Sequence, residues 1–241
     1  MSPTTTANIT IRPRHPSDLP SCASLLARVH AKDRYPIQGI SHAIEFLSSA
    51  DTIASWVAVA EREAETTINE NPTPLEEEEG EEEGKKTSHA TTKPEPPRIL
   101  AHISLTSPPP NSTDPAVVLW RSQQQEHPES QPEPYPEPVA VLERLFVDPN
   151  ARGQGLAEDL IRVVSSAAGE RGQRCVLFAL VKDAGAMRLY ERVGWRVFGR
   201  GVYRYGYEEE GEGEGREMEM EAVCFVAPGS DGGAVVGREG R

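Results

Sequence analysis

The chain has 241 residues and a formal net charge of −13, and only 37% of its residues are hydrophobic, with a mean hydropathy of −0.52. Such a low apolar content indicates that part of the chain contributes little to a folded core. No run approaches the roughly 18 apolar residues of a membrane span, and residues 1–18 lack the apolar stretch of a signal peptide. We therefore expect a cytoplasmic protein, with a nuclear location as the alternative.

The negative charge is concentrated in two low-complexity blocks. Residues 76–83 contain seven Glu and no basic residue, and residues 208–221 contain eight Glu and one Arg. Because these blocks account for the whole excess of acidic residues, the rest of the chain is close to neutral. Net charge therefore says little about the partner of the folded part, and it gives no reason to infer a basic substrate.

Cysteine and histidine residues show no metal-binding pattern. Cys22, Cys175 and Cys224 are odd in number, widely separated and free of any C-x-x-C spacing, which is typical of a reduced intracellular protein with structural thiols. The six histidines lack spacings such as H-x-x-x-H, so we predict no metal site.

The first half of the chain alternates strand-like and helix-like segments. Asp18 is placed to cap a helix in which Leu25, Leu26 and Val29 recur at helical spacing. Alternating or continuous apolar runs predict the strands around it. In chain order the predicted elements are a strand at 9–15, a helix at 18–31, a weak helix at 41–50, and strands at 52–62 and 99–108.

The second half predicts a strand–helix–strand unit followed by another helix. The two strands of this unit should be parallel or splayed neighbours with a right-handed crossover. Asp183 and Gly194 are placed as the N-cap and the C-terminal glycine of the second helix. In chain order the predicted elements are a strand at 139–149, a helix at 155–169, a strand at 174–183, a helix at 184–194, and strands at 195–207 and 221–228.

Two long segments interrupt this pattern. The Glu-, Pro- and Thr-rich residues 63–98 cannot bury enough apolar surface to offset the entropy cost of ordering. Within 109–138, an apolar island predicts a short helix with Trp120 inward. We thus predict a single α/β domain at 8–228. It is interrupted by a disordered insert at about 63–98, a second insert at about 109–138 and a low-complexity acidic segment at 208–221, and it ends in a disordered tail at 229–241.

A glycine-containing turn opens the helix predicted at 155–169. The stretch VDPNARGQGLAEDLI, residues 147–161, matches neither the phosphate loop G-x-x-x-x-G-K-[ST] nor the dinucleotide fingerprint G-x-G-x-x-G. The backbone N–H groups of Arg152–Ala157 could bind a phosphate at the helix N-terminus, with Arg152 as countercharge. The alternative is an ordinary strand-to-helix turn with a surface arginine.

A second motif lies about 30 residues downstream. Together, the two motifs resemble those of the GNAT family of acyl-CoA-dependent N-acetyltransferases. Arg152, Gly155 and Ala157 match its R/Q-x-x-G-x-G/A signature. The resemblance covers 139–205 strongly and 9–62 and 99–108 in element order only. The following residues match the helix pattern A-x-x-L-Y-x-x-x-G-[FW]: Ala186, Leu189, Tyr190, Gly194 and Trp195.

The resemblance implies a mixed, mostly antiparallel sheet of six or seven strands, with a splayed parallel pair and about four flanking helices. It implies acetyl-CoA as co-substrate, with the pyrophosphate on the glycine turn and the pantetheine arm along the preceding strand. The thioester carbonyl would face a backbone N–H near Phe146 or Val147. The implied cofactor contacts are Leu145, Phe146, Val147, Arg152, Gly153, Gln154, Gly155, Leu156, Ala157, Asp183 and Ala186.

The resemblance also suggests catalytic roles, each with a structural alternative. Tyr190 matches the position of a general acid for the leaving thiolate, or it is a core aromatic that covers the cofactor. Glu143 is a candidate base acting through water, or a solvated strand residue. Asp183 stands where the family often has a cofactor-contacting Asn, or it is only the helix cap. His102 has no evident partner, and Tyr203, Tyr205 and Tyr207 are expected to line a sheet edge.

These residues predict an N-acetyltransferase that transfers acetyl to a primary amine by direct attack in a ternary complex. We expect the acceptor to be a small molecule or a protein amine, no nucleic acid or membrane as partner, and a monomer or homodimer. The alternative is a non-catalytic acyl-CoA-binding module or scaffold whose acidic tracts bind a basic partner.

Overall fold

A computed structural model of the chain describes residues 8–60, 98–126, 138–207 and 216–229. In these ranges seven strands form one sheet in the order β1-β2-β3-β4-β5-β7-β6, and five α-helices flank it. The strands are β1 Ile9–Pro13, β2 Thr52–Ala60, β3 Arg98–Thr106, β4 Val139–Val147, β5 Arg174–Leu180, β6 Arg196–Tyr207 and β7 Arg216–Val226. The helices are α1 Leu19–Asp33, α2 Ala43–Leu47, α3 Pro115–Glu126, α4 Leu156–Gly169 and α5 Ala184–Arg192.

The parallel pair formed by β4 and β5 is short. All other neighbouring strands in the sheet are antiparallel. The β4–β5 pairing runs only from Val139 opposite Arg174 to Val141 opposite Val176, and among the described residues the rest of β4 has no strand partner on that side. The predicted splayed parallel pair is therefore confirmed, and the separation opens a cleft between the two strands.

A bulge bends β4 where the cleft opens. On β3 the register moves two residues, from His102 to Ser104, while on β4 it moves three, from Phe146 to Glu143. The extra residue of β4 is accommodated at Arg144, which has a φ of 56°. A positive φ is uncommon for a residue other than glycine, so other contacts must hold this conformation.

The core is divided between the two faces of the sheet. Helices α4 and α5 cover one face, and the buried side of α4 includes Leu160 and Val164. On the other face, α1 and α2 pack against one half of the sheet and α3 against the other. Successive side chains of a strand point to opposite faces of the sheet. On β4, Ala140 therefore packs on one face and Val141 on the other. All three cysteines are buried and free.

Several predicted details need correction. Asp18 stands at the N-terminus of α1 but does not cap it, because its carboxylate accepts from Arg12 at 2.7 and 2.9 Å and from the His15 amide at 2.7 Å. Strand β7 begins at Arg216, five residues earlier than predicted and inside the segment assigned as low-complexity. The predicted helix in the second insert is confirmed as α3, with Trp120 against Phe198.

Other predictions fall on residues outside the described ranges. The first insert lies outside these ranges, except for Arg98, which begins β3. Residues 127–137 of the second insert and residues 230–241 of the tail also lie outside them. Strand β6, which carries the three tyrosines expected at a sheet edge, is an edge strand of the described sheet. Within the described ranges, no helix combines the length and apolar character needed to cross a membrane.

Candidate active site

A cavity of about 1160 Å³ lies where β4 and β5 separate. Its walls come from β4, the glycine turn, the start of α5 and the segment between α1 and α2. Among the predicted site residues, Gln154 does not line it. The predicted residues that do are Glu143, Leu145, Phe146, Val147, Arg152, Gly153, Gly155, Leu156, Ala157, Asp183, Ala186 and Tyr190.

The glycine turn forms one end of the cavity. Gly153 and Gly155 have φ values of 79° and 80°, which other L-residues rarely adopt, and the space where a Cβ would stand is empty at both. Gly155 is the N-cap of α4. In the described part of the chain, the amides of residues 152–157 have no backbone acceptor, so they are available to an anion at the helix N-terminus.

A buried carboxylate fixes the chain just before this turn. Asp148 is 1% exposed and accepts from the Asn150 amide at 3.0 Å and from Arg28 at 2.9 Å. Burial raises the pKa of Asp148, but these two donors outweigh it and hold the pKa below its ordinary value. The link to Arg28 therefore connects the turn to α1.

The cations at this end of the cavity are already paired. Arg152 donates to Asp33, with 3.3 Å between Nη1 and Oδ1 and a second, shorter contact from Nη2. Arg192 contacts Glu158 at 2.7 Å. Arg152 therefore does not stand free as a countercharge, although the pair is partly exposed, at 42% for Arg152 and 34% for Asp33.

The free edge of β4 forms one wall. The Asp148 amide donates to Leu100 on β3, at 2.7 Å. Because successive N–H groups of a strand point to opposite edges, the Val147 N–H points away from β3 and towards the cavity. Of the two amides considered from the sequence, the geometry therefore favours Val147.

Tyr190 lies in the wall formed by α5. It is 7% exposed, and its ring packs against Trp195 and Phe225 with centroids 5.9 and 5.6 Å away. Its hydroxyl makes no hydrogen bond within the described residues. Burial raises the pKa of Tyr190, so the hydroxyl is protonated at neutral pH. Tyr190 thus belongs to the core and lines the cavity at the same time.

Carboxylates line the opposite end of the cavity. Glu143 lies 3.3 Å from Arg144, and burial raises the pKa of Glu143 even though Arg144 lowers it. A neighbouring cavity of about 380 Å³ shares four lining residues with the larger one and adds Asp51. The shared residues are Asp114, Glu143, Phe178 and Tyr203.

The segment between α1 and α2 crosses this end. Tyr35 packs against Phe46 and Phe146, with centroids 6.4 and 6.3 Å apart. Gln38 donates its side-chain amide to the hydroxyl of Tyr203 on β6. This contact joins two residues that line the cavity.

Residues 56–195 match the model of the Acetyltransferase (GNAT) family. The chain belongs to this family. The resemblance stated from the two motifs is thereby confirmed. Membership of the GNAT family rests on a match across more than half of the chain, which includes both the glycine turn and α5.

Individual relatives agree with the GNAT assignment. The chain is 40% identical over 57 residues to an uncharacterized N-acetyltransferase of Methanocaldococcus jannaschii, and the match spans 23% of this chain and a quarter (25%) of the archaeal protein. The fold of the present chain is similar to that of Arabidopsis thaliana NAA60 in complex with acetyl-CoA, with a TM-score of 0.54 and 18% identity. This match covers 91% of the present chain and 98% of the NAA60 chain. The structure of NAA60 with a bisubstrate analogue gives a TM-score of 0.51, with 19% identity and 91% and 97% coverage. The predicted GNAT fold is confirmed.

The structure adds detail to two expectations about polar residues. Asp183 occupies the N-cap position of α5 but makes no side-chain cap bond; it contacts Lys182 at 3.0 Å. His102 does have partners: its Nδ1 is 3.0 Å from the Arg144 carbonyl and its Nε2 is 3.1 Å from Arg14.

Several residues that line the cavity were not found from the sequence. Asp33, Tyr35 and Asp114 carry no motif, and only their position in the folded chain brings them to the cavity. Arg144 lies in the predicted strand next to Glu143, but nothing in the residue type signals its positive φ. In the described residues, no group of three His, Cys, Asp or Glu side chains is arranged to hold a metal ion.

Proposed function

We propose that this protein is an N-acetyltransferase that transfers the acetyl group of acetyl-CoA to a primary amine by direct attack in a ternary complex. The observation that carries the proposal is the cavity between β4 and β5. It combines a glycine turn with free amides, an unpaired strand edge, a protonated tyrosine and a carboxylate-lined end. Family membership supports the same chemistry.

In this proposal the coenzyme lies along the cavity from the glycine turn inward. The amides of residues 152–157 bind the pyrophosphate, because they have no backbone acceptor in the described residues, lie at a helix N-terminus, and no side chain fills the space at either glycine. The pantetheine arm pairs with the free edge of β4 at Leu145–Val147, as an added strand would.

The thioester carbonyl then lies near the Val147 N–H, which donates to the oxygen as negative charge develops. The amine nitrogen attacks the carbonyl carbon and the C–S bond breaks. Tyr190 donates its proton to the departing sulfur. A free thiol has a pKa of about 8.5 and a free phenol about 10. Burial raises the pKa of Tyr190. Burial raises the pKa of the coenzyme thiol beside Tyr190 as well, so the difference between the two pKa values stays limited.

The acceptor amine enters from the carboxylate-lined end. It must arrive as a neutral amine or lose a proton before attack, and Glu143 is the candidate base, acting through water. Because burial raises the pKa of Glu143, its carboxylate is a stronger base near neutral pH than an exposed glutamate. Its position on both cavities supports this role over that of a solvated strand residue.

A broad acceptor screen tests the proposal. The full chain is incubated with acetyl-CoA and a panel of amines that includes diamines, amino acids, lysine peptides and peptides with free N-termini, and the released thiol is measured. We expect amine-dependent thiol release with at least one acceptor class. Tight coenzyme A binding without thiol release on any acceptor would instead support a non-catalytic acyl-CoA-binding module.

A further inference from the structure

The bulge of β4 is held by a chain of polar contacts that starts just after β1 and has the buried His102 at its centre. Arg14, just after β1, donates to the Leu47 carbonyl at 2.6 Å and lies 3.1 Å from His102 Nε2. On the other side of the ring, His102 Nδ1 lies 3.0 Å from the carbonyl of Arg144, the residue with positive φ. His102 is fully buried, so no solvent molecule replaces either contact without a rearrangement.

The partners decide which ring nitrogen carries the proton. A guanidinium only donates, so His102 Nε2 must be the acceptor of the Arg14 bond. A carbonyl only accepts, so Nδ1 must carry the hydrogen that it donates to Arg144. The imidazole is therefore a neutral group with both nitrogens used, and burial lowers the pKa of His102 in agreement with this.

The ring also contacts the strand directly. It stacks on Phe146, with centroids 5.0 Å apart and an interplanar angle of 19°. The side chain of Arg144 is held separately, by Thr52 at 3.1 Å and over the ring of Phe46. The His102 side chain thus contacts the backbone carbonyl of the bulge residue Arg144. This residue comes immediately before the free edge at Leu145–Val147.

We propose that His102 is a positioning residue for the coenzyme: its Nδ1–H holds the Arg144 carbonyl and so sets the direction in which β4 presents Leu145–Val147 to the pantetheine arm. This inference rests on the proposed function. It predicts a specific defect, because the pantetheine arm uses the strand beyond the bulge, whereas the phosphates use the glycine turn on a separate support, Asp148 and Arg28.

Two conservative substitutions separate the two nitrogens of the ring. In His102→Gln the side-chain oxygen can still accept from Arg14, but the donor near Nδ1 is lost. In His102→Asn a donor remains near the position of Nδ1, but the acceptor for Arg14 is lost. Ile103→Val is the matched control, since Ile103 is fully buried on the same strand and does not contact the bulge carbonyl.

The test measures two affinities by calorimetry, for coenzyme A and for 3′-phosphoadenosine 5′-diphosphate, which lacks the pantetheine arm. We expect His102→Gln to weaken coenzyme A binding roughly tenfold, as the loss of one buried hydrogen bond implies, and to leave the nucleotide affinity unchanged. His102→Asn should retain most of the coenzyme A affinity of the unsubstituted protein. Ile103→Val should change neither affinity, although it lowers the melting temperature.

The outcomes distinguish the two proposals. If the unsubstituted protein binds neither ligand, the proposed function itself fails. If it binds both but His102→Gln weakens them equally, or leaves both unchanged, the positioning role of His102 is wrong. Should His102→Gln not fold, His102→Leu removes the donor near Nδ1 and, like His102→Asn, the acceptor for Arg14, so it differs from His102→Asn in the donor alone. Unchanged coenzyme A affinity in that variant also overturns the proposal.

Discussion

Asp33, the last residue of α1, accepts hydrogen bonds from both terminal guanidinium nitrogens of Arg152 in the glycine turn. The two residues are 119 positions apart, and both line the cavity. A carboxylate therefore stands next to the place proposed for the pyrophosphate and neutralises the nearest cation. In the proposed binding mode the pyrophosphate lies close to that carboxylate, so we expect Asp33 to lower the affinity for coenzyme A.

Replacing Asp33 with Asn should tighten coenzyme A binding by a few-fold, because it removes a negative charge near the phosphates and frees Arg152 to pair with them. Calorimetric titration of coenzyme A at low ionic strength measures the effect. Glu219→Gln is the matched control, since it removes a carboxylate that pairs with Arg204 on the edge hairpin, outside the cavity. Equal affinities of Asp33→Asn and the unsubstituted protein would mean that Arg152 does not contact the phosphates.

Gly155→Glu should abolish coenzyme A binding, because a carboxylate would then occupy the space from which the turn amides reach the pyrophosphate. The substitution also costs about 1 kcal/mol of strain at positive φ. Gly172→Glu carries the same strain, since Gly172 has a φ of 65° and open surroundings but lies outside the cavity lining. Loss of binding in the first variant, with retention in the second, supports the turn as the phosphate site. Retained binding in both contradicts it.

Tyr190→Phe should lower kcat by at least tenfold while the dissociation constant of coenzyme A stays within a factor of about two. The ring contacts with Trp195 and Phe225 are preserved in phenylalanine, so the fold should be unaffected. Steady-state kinetics together with a coenzyme A titration separate the two quantities. A variant with unchanged turnover would show that Tyr190 only covers the cofactor and that another group protonates the thiolate.

The stability of the fold should fall in mild acid because of His102. Burial is the main cause that lowers the pKa of His102 to about 3, against about 6.5 in the unfolded chain. Between these values only the unfolded chain binds the proton, so the free energy of unfolding decreases as the pH falls. From pH 7 to pH 5 the loss is about 2 kcal/mol.

Urea unfolding at pH 7 and pH 5 measures this loss. His102→Asn carries no titrating ring, so we expect its stability to decrease by about 2 kcal/mol less than that of the unsubstituted protein over the same interval. The comparison removes the contributions of carboxylates such as Asp18, which both proteins share. Equal losses in the two proteins would show that the ring is accessible to protons in the folded state.

The sequence predicted most of the fold because periodicity reports which residues face a core. The run of apolar residues in β5 and the repeat of Leu160 and Val164 in α4 reflect burial that the structure confirms. The start of β7 was missed because Arg216–Met220 alternate Glu and Met within an acidic tract. Hydrogen bonding to β6 stabilises a strand there that the composition alone does not predict.

Site residues with a motif were easier to predict than residues brought together by tertiary contacts. The glycine turn and α5 have local patterns, because positive φ and helical spacing restrict residue type. Asp18 and Asp183 satisfied a local pattern for caps, but each carboxylate bonds elsewhere, to Arg12 and Lys182. The pairing of His102 with Arg144 depends on a bulge, and no residue type in that stretch predicts one.

The most direct test of direct transfer in this cavity is an initial-rate experiment with acetyl-CoA and the best acceptor both varied. We predict thiol release only when the amine is present, in equal amounts with acetylated product, and double-reciprocal lines that intersect, as a ternary complex requires. Parallel lines, with thiol released before the amine is added, would show instead that the acetyl group is first transferred to the protein.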